Sequence, residues 1–114
     1  MFTFFRKPKI GIDIVDVLRF RGFTKNDPFI QKTFSVYEQE YCFSHTDPSS
    51  HLAGIFAAKE ATSKALGTDT YIIYELEVRH TDNGVPGMFF KNKPLSISVS
   101  ISHTDTVAIA CAVG

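Results

Sequence analysis

The sequence lacks an excess of charge of either sign, because twelve basic side chains balance twelve acidic ones over 114 residues. It also lacks an apolar run of membrane-spanning length, and its opening MFTFFRKPKIGIDIV has neither the apolar core nor the cleavage site of a signal peptide. A neutral chain has no overall field that would attract nucleic acid or an anionic membrane. We therefore expect a cytoplasmic protein with no nucleic-acid and no membrane partner.

Cysteine is scarce, and repeats and linkers are absent. Cys42 and Cys111 are far apart and form no CxxC motif, so we expect buried free thiols rather than a disulfide. No internal repeat or low-complexity stretch divides the chain. Residues 1–114 are accordingly predicted to form a single domain.

Helix signals are concentrated in the first two thirds of the chain. They are the Asp-Pro pairs Asp27–Pro28 and Asp47–Pro48, the capping box of Ser35 and Glu38, and the stop at Gly67. The first pair predicts a brief helix, and the capping box predicts a second one over Val36–Phe43. The second pair and Gly67 bound a central helix of about 19 residues.

Strand signals lie at both ends of the chain. KIGIDIVDV predicts a strand that turns into helix near Asp16, and TYIIYELEVRH predicts a second strand. A turn at Asn83–Gly84 leads to GMFF, and LSISVSISHTDTVAIACAV reads as two alternating strands joined by a polar turn. The pattern predicts an α+β fold, with early helices and a long central helix packed on a mostly antiparallel sheet.

One side of the central helix is nearly free of bulky side chains. At 100° per residue its members are Gly54, Ala57, Ala58, Ala61, Thr62 and Ala65. The last strand likewise alternates between larger residues and Ala108, Ala110 and Ala112. We expect the helix to lie tightly against this small-residue face of the sheet.

A second stripe of the same helix carries chemistry. Its members are Phe56, Glu60, Ser63, Lys64 and Gly67. Glu60 and Lys64 alone would be read as a surface ion pair at i,i+4 spacing. Asp13 stands in the apolar strand IGIDIV, where it either faces solvent at a sheet edge or is paired. If Asp13 and Glu60 converge, their oxygens suit a Mg²⁺ ion completed by water and a substrate phosphate.

The motifs GIDIVDVLR, FAAKEATSKALGT and SISHTDTVAIACAV resemble the holo-(acyl carrier protein) synthases, the small class of the 4′-phosphopantetheinyl transferases. The resemblance covers nearly the whole chain from Ile10. It implies transfer of the phosphopantetheine arm of coenzyme A to a serine of apo acyl carrier protein, in support of fatty acid biosynthesis. It also implies a homotrimer with clefts between subunits.

The resemblance assigns roles to individual residues. Asp13 and Glu60 would bind Mg²⁺, and with Lys64 they would form the catalytic set. The residues expected to contact coenzyme A are Lys59, Ser63, Lys64, Gly67 and His103, the last near its 3′-phosphate or adenine. Arg19 would bind the acidic carrier protein. Arg21 and Lys25 belong to the same local basic patch in the sequence, and we expect them to assist. Without the resemblance, His103 could equally be a solvated turn residue.

Three features depart from the family pattern. Ile55 stands where many relatives have an arginine that contacts phosphate, and Asp69 replaces a glycine. The segment between GMFF and LSISVSIS is too short for the helix that longer relatives insert there. A catalytically silent module that binds carrier protein or nucleotide remains the alternative. A metal-dependent phosphohydrolase would need a base to activate water, and the sequence offers no evident one.

Overall fold

The computed structural model describes residues 7–68 and 70–114. The departure from the family pattern at Asp69 therefore lies outside the described residues. In the described part of the chain, one antiparallel sheet of five strands has the order β1-β5-β4-β3-β2. The strands are β1 (Ile10–Asp16), β2 (Leu76–His80), β3 (Pro86–Phe90), β4 (Lys93–His103) and β5 (Val107–Val113). This arrangement confirms the α+β prediction.

Among the described residues, three α-helices precede β2, and the longest of them crosses the sheet. They are α1 (Pro28–Thr33), α2 (Val36–Phe43) and α3 (Ser49–Leu66), with short 3₁₀ helices at Val17–Phe20 and Thr70–Tyr74. The capping box at the start of α2 is confirmed, because Ser35 and Glu38 exchange both hydrogen bonds. Gly67 ends α3 in the left-handed conformation, at φ 69°.

Of the two predicted aspartate caps, Asp27 does occupy the N-cap position of α1, without a side-chain bond to the helix, and Asp47 is not the N-cap of α3. Asp27 precedes α1, but its carboxylate accepts a hydrogen bond from the Thr24 amide at 2.6 Å and closes the preceding loop instead. Asp47 lies one residue before the N-cap of α3, which is Pro48, and it accepts from the Ser49 amide at 3.0 Å. The Asp27 carboxylate therefore stabilises the loop before α1, whereas the Asp47 carboxylate binds the amide of the first residue of α3.

The predicted strand TYIIYELEVRH is also shorter than expected. Its first part forms the 3₁₀ helix, and pairing begins only at Leu76, which lies opposite Phe90. The β3–β4 hairpin turns immediately afterwards at Lys91 and Asn92, both at positive φ, so β3 offers no partner to residues before Leu76. Because this short turn joins β3 directly to β4, the chain has no helix at the point where longer relatives insert one.

The close packing of α3 on the sheet is confirmed. Ala57, Ala58 and Ala61 of α3 are fully buried, as is the alanine face of β5. The closest approach is at Gly11 of β1, where a Cβ would lie 2.8 Å from the Ala65 amide nitrogen and still closer to the Ala61 carbonyl oxygen. Small residues therefore set the distance between the helix and the sheet.

The opposite face of the sheet is open to solvent. Ile10, Ile12 and Ile14 of β1 are 66%, 58% and 67% exposed, and Ile109 and Val113 of β5 lie beside them. The serines of β4 continue this face. The alanine face meets α3, whereas the isoleucine and serine face is not covered by this helix.

Both cysteines are free, as predicted, although only Cys42 is fully buried and Cys111 is partly exposed. Burial raises the pKa of the Cys42 thiol far above its ordinary value. Within the described part of the chain, no helix combines the length and hydropathy needed to cross a membrane.

Candidate functional site

Asp13 faces α3 rather than solvent. Strand alternation gives it the same side as Gly11 and Val15, and only 16% of its side chain is exposed. The Lys64 ammonium lies 3.0 Å from its Oδ1 and also donates to the Ile12 carbonyl oxygen at 3.0 Å. The close contact at Gly11 holds the strand against the helix and so brings the two side chains together.

Glu60 lies one helical turn before Lys64 and is partly buried. Burial raises its pKa most, and the negative charge of Asp13 raises it further, while Lys64 and Arg19 act in the opposite direction. The structure therefore brings Asp13, Glu60 and Lys64 into one cluster. The reading of Glu60 and Lys64 as a simple surface pair is not supported, since Lys64 pairs with Asp13.

The donor set of this cluster fits a magnesium ion. Two neighbouring carboxylates supply hard oxygens, and Mg²⁺ is commonly held by one or two carboxylates with waters and substrate phosphates. No group of three or more metal-ligating side chains occurs among the described residues, so the protein alone does not form a complete cage. Asp13 and Glu60 would hold the ion, with the remaining positions left to water and substrate.

Ser63 and Gly67 shape the end of α3 beside this cluster. The Ser63 hydroxyl is nearly buried and donates to the Thr68 carbonyl oxygen at 3.2 Å, which fixes the chain as it leaves the helix. Gly67 is exposed at the turn. The predicted contact of either residue with coenzyme A stays a prediction.

The structure does not support a ligand contact by Lys59. Its side chain is completely buried, and its ammonium forms an ion pair with Glu38 at 2.5 Å and donates to the Thr33 carbonyl oxygen at 2.8 Å. Glu38 in turn accepts from the Val78 amide at 2.7 Å, so the pair ties α2 and α3 to β2. Breaking such a pair leaves a buried charge at a cost of about 3–5 kcal/mol, which is a structural role.

His103 lies at the other end of α3 from this cluster. Together with Tyr41, His51 and His80 it lines a cavity of about 190 Å³, and the ring of His45 stacks on His51. Sequence reasoning singled out His103 but missed the other three histidines. Positions 45, 51, 80 and 103 have no motif spacing, and only the fold brings them together.

The predicted basic segment lies close to the carboxylate cluster. The Arg19 guanidinium is 5.3 Å from the centre of the Phe56 ring on α3, and its charge lowers the pKa of Glu60. Arg21 and Lys25 are exposed further along the chain, and Leu18 is 61% exposed beside Arg19. A partner bound to Arg19 would thus be near Glu60.

Comparison with known proteins gives a consistent result. The family model described as the 4′-phosphopantetheinyl transferase superfamily matches residues 9–112. A holo-[acyl-carrier-protein] synthase of Caldicellulosiruptor saccharolyticus is 39% identical, covering 91% of this chain and 93% of its own. The Chlorobaculum parvum protein of the same name is 38% identical and covers 91% of this chain and 95% of its own.

Solved structures agree with the sequence relatives. A holo-(acyl-carrier-protein) synthase from Bacillus anthracis in complex with CoA (3′,5′-ADP) has a TM-score of 0.78 at 32% identity, over 92% of this chain and 93% of its own. The Helicobacter pylori holo-[acyl-carrier-protein] synthase in complex with coenzyme A has a TM-score of 0.72 at 30% identity, over 92% and 99%. The chain therefore belongs to the 4′-phosphopantetheinyl transferase superfamily.

Proposed function

We propose that this protein transfers the 4′-phosphopantetheine arm of coenzyme A to a serine of apo acyl carrier protein, in support of fatty acid biosynthesis in the cytoplasm. The observation that carries the proposal is the convergence of Asp13, Glu60 and Lys64 in a chain whose relatives are named holo-[acyl-carrier-protein] synthases. The serine oxygen attacks the phosphorus next to the pantetheine arm. One phosphoester bond forms, the pyrophosphate bond breaks, adenosine 3′,5′-bisphosphate leaves and the serine proton is released.

Lys64 is positioned to stabilise the charge that develops on the phosphates. Its ammonium is held beside Asp13, and about half of its side chain is exposed, so it can turn to an incoming pyrophosphate at little cost. Asp13 and Glu60 would hold the divalent ion beside Lys64. When bound, Mg²⁺ would neutralise negative charge on the pyrophosphate and so favour departure of the nucleotide.

The open face of the sheet supports a homotrimer with a site between subunits. Monomeric proteins rarely leave a contiguous apolar face exposed. A cavity at the edge of this face is lined by Ile12, Ile14 and Ile109 together with Asp13 and Lys64. A subunit packed against the isoleucines would form one wall of a cleft that contains the carboxylate cluster.

Intact-mass analysis of apo acyl carrier protein after incubation with coenzyme A and Mg²⁺ tests the proposed transfer. We expect the carrier protein to gain one phosphopantetheine group, and its serine-to-alanine variant to gain none. A catalytically silent module would bind the carrier protein and leave its mass unchanged. That result would overturn the proposed function.

A further inference from the structure

The buried ion pair of Lys59 and Glu38 joins α3 to three other segments of the chain. The Lys59 ammonium lies 2.5 Å from Oε1 of Glu38 and also donates to the carbonyl oxygen of Thr33, the last residue of α1. The carboxylate accepts from the Ser35 amide before α2 at 2.9 Å and from the Val78 amide of β2 at 2.7 Å. The pair therefore holds α3 through hydrogen bonds, whose strength depends on direction.

Stability alone does not require an ion pair at this place. Transfer of two charges from water to the interior costs free energy, and replacement of a buried pair by well-packed apolar side chains is often neutral or stabilising. The hydrophobic effect is non-directional, so apolar side chains would tolerate a small rotation of the helix. A hydrogen-bonded pair weakens as soon as its atoms leave the favoured geometry. The pair can thus fix the rotation of α3 about its own axis.

The contact between α3 and the sheet defines this rotation poorly. Ala57, Ala58 and Ala61 of α3 are fully buried, and the face of β5 that α3 covers is also made of alanines. Helices resist rotation when the ridges of their side chains fit into grooves of the facing surface, and small side chains form only shallow ridges. This contact sets the distance between helix and sheet but leaves the rotation of α3 to be fixed elsewhere.

Glu60 lies between the two sides on which α3 is held. Successive residues of a helix point about 100° apart, so Lys59 and Ala61 point about 200° apart, with Glu60 between them. On the side of Ala61 the helix touches β1, where a Cβ at Gly11 would lie 2.9 Å from the Ala61 carbonyl carbon. On the side of Lys59 it is held by Glu38. The direction of Glu60 toward Asp13 therefore depends on both contacts.

A small rotation of α3 would be enough to disturb the carboxylate cluster. Side chains extend about 5–6 Å from the axis of a helix, so a turn of about 10° moves their ends by roughly 1 Å. Lys64 lies one turn after Glu60 and would move with it, away from its 3.0 Å contact with Asp13. A displacement of about 1 Å at reacting groups can lower a rate about 100-fold.

We infer that the ion pair of Glu38 and Lys59 positions Glu60, because it fixes the rotation of α3 at which the Glu60 carboxylate faces Asp13. This inference rests on the proposed function, in which Glu60 would hold the divalent ion. Glu38 and Lys59 act through α3, and their role goes beyond their contribution to the fold. Lys59, which the resemblance assigned to coenzyme A, becomes a positioning residue.

The double variant Glu38→Gln with Lys59→Met tests this inference. It leaves no buried charge, and the glutamine oxygen can still accept from the Val78 amide, so we expect a cooperative fold. Ile30→Val, at a fully buried residue of α1, is the matched control because it weakens the core and leaves the pair intact. If the double variant does not fold, Glu38→Asp takes its place. That variant keeps both charges but shortens the carboxylate arm.

Mg²⁺ binding without substrate gives the first readout, measured by titration of amide chemical shifts well below the melting temperatures of all proteins. Loss of a group that supports a metal ligand typically costs about 10- to 100-fold in metal affinity or activity. We expect a rise of this size in the Mg²⁺ Kd of the double variant, a smaller rise in Glu38→Asp, and almost none in Ile30→Val.

Transfer kinetics give the second readout. At saturating Mg²⁺ and coenzyme A, kcat of the double variant should fall by about 10- to 100-fold. The KM for acyl carrier protein should stay near that of wild type, because Arg19 belongs to the Val17–Phe20 helix and not to α3. A pair that only stabilised the fold would leave kcat unchanged in a fully folded variant.

The metal-free NMR spectra give a third readout that needs neither metal nor activity. Lys64 donates to the Ile12 carbonyl oxygen at 3.0 Å, and the chemical shift of the next amide, that of Asp13, depends on this hydrogen bond. Rotation of α3 should break the bond. The Asp13 amide should therefore shift in the double variant and keep its position in Ile30→Val.

The outcomes separate this inference from the proposed function. If wild type modifies the carrier protein and the folded double variant keeps the wild-type kcat, the pair does not position Glu60 and the inference is wrong, whatever the spectra show. If wild type transfers nothing, the proposed function fails, and the metal-free spectra decide alone. An Asp13 amide at its wild-type position in the double variant would then overturn the inference.

Discussion

At the residue scale, the cluster of Asp13, Glu60 and Lys64 combines two features that rarely coexist in a purely structural site. Two carboxylates are held close enough for one to raise the pKa of the other, and the available ammonium pairs with only one of them. Repulsion of this kind costs stability in the free protein and is relieved when a cation binds. The arrangement therefore favours binding of a ligand and does not serve to stabilise the fold.

Glu60→Gln should abolish most transfer without weakening the fold. Loss of one electrostatic contact to the reacting phosphates typically costs about 100- to 1,000-fold in rate. Because the folded-state pKa of Glu60 is raised, its ionised form lowers the free energy of unfolding at neutral pH. The neutral amide should therefore leave the melting temperature unchanged or higher. Initial rates and thermal denaturation test this. Glu75→Gln, at an exposed glutamate, is the control and should keep full activity.

The raised pKa of Glu60 also predicts a pH dependence of Mg²⁺ binding. Only the ionised carboxylate binds the ion, so affinity should fall as pH decreases through the raised pKa, at a higher pH than for an ordinary glutamate. Calorimetric Mg²⁺ titrations of wild type and Glu60→Gln would reveal it. If the Mg²⁺ affinities of wild type and Glu60→Gln have the same pH dependence, Glu60 does not bind the ion.

At the element scale, the close packing of α3 against β1 depends on Gly11. Overpacking a core typically costs about 1–3 kcal/mol, and Gly11→Ala should destabilise the fold by at least the upper value. The new alanine Cβ would clash with backbone atoms of α3, which cannot rotate away as a side chain can. Gly87→Ala on β3 is a matched control, since its Cβ would make ordinary contact at 3.6 Å. Chemical denaturation should separate the two variants clearly. Equal denaturation midpoints for Gly11→Ala and Gly87→Ala would mean that α3 can move away from the strand without loss of stability.

At the scale of the whole molecule, the open isoleucine face and the carboxylate cluster are adjacent. Ile12→Asp should leave the isolated subunit folded, because the side chain is exposed there, but it should place a charge in the proposed subunit interface. Light scattering should show trimers for wild type and monomers for the variant, with loss of transfer. Val36→Asp, at an exposed valine of α2, should remain trimeric and active. Monomeric wild-type protein with full activity would exclude a shared site.

Carrier-protein docking also belongs to this scale, because the net charge of zero requires any attraction to be local. Arg19→Gln should raise the KM for acyl carrier protein while leaving the coenzyme A Kd nearly unchanged, and added salt should narrow the difference from wild type. The neutral glutamine avoids placing a second negative charge beside Glu60. Lys93→Gln, at an exposed lysine on β4, is the control. A variant that loses coenzyme A affinity but keeps its carrier KM would assign Arg19 to the nucleotide site.

The sequence by itself determined the features that depend on local chemistry. The capping box of α2, the stop at Gly67 and the alternation of β4 and β5 follow from hydrogen bonds and side-chain directions within a few residues. The same local rules failed where pairing partners decide the outcome, as in the strand that begins only at Leu76. Motif resemblance supplied the family because its residue types recur in order along the chain.

Only the tertiary structure decided which charged side chains face one another. Glu60 and Lys59 are neighbours in sequence, yet one joins Asp13 at the surface and the other is buried against Glu38, because successive residues of a helix point about 100° apart. The rings of His45, His51 and His103 likewise meet although they come from segments up to 58 positions apart, which no spacing along the chain encodes. Long-range contacts of this kind arise from how α3 packs on the sheet, and that packing is set by small residues distributed over several elements.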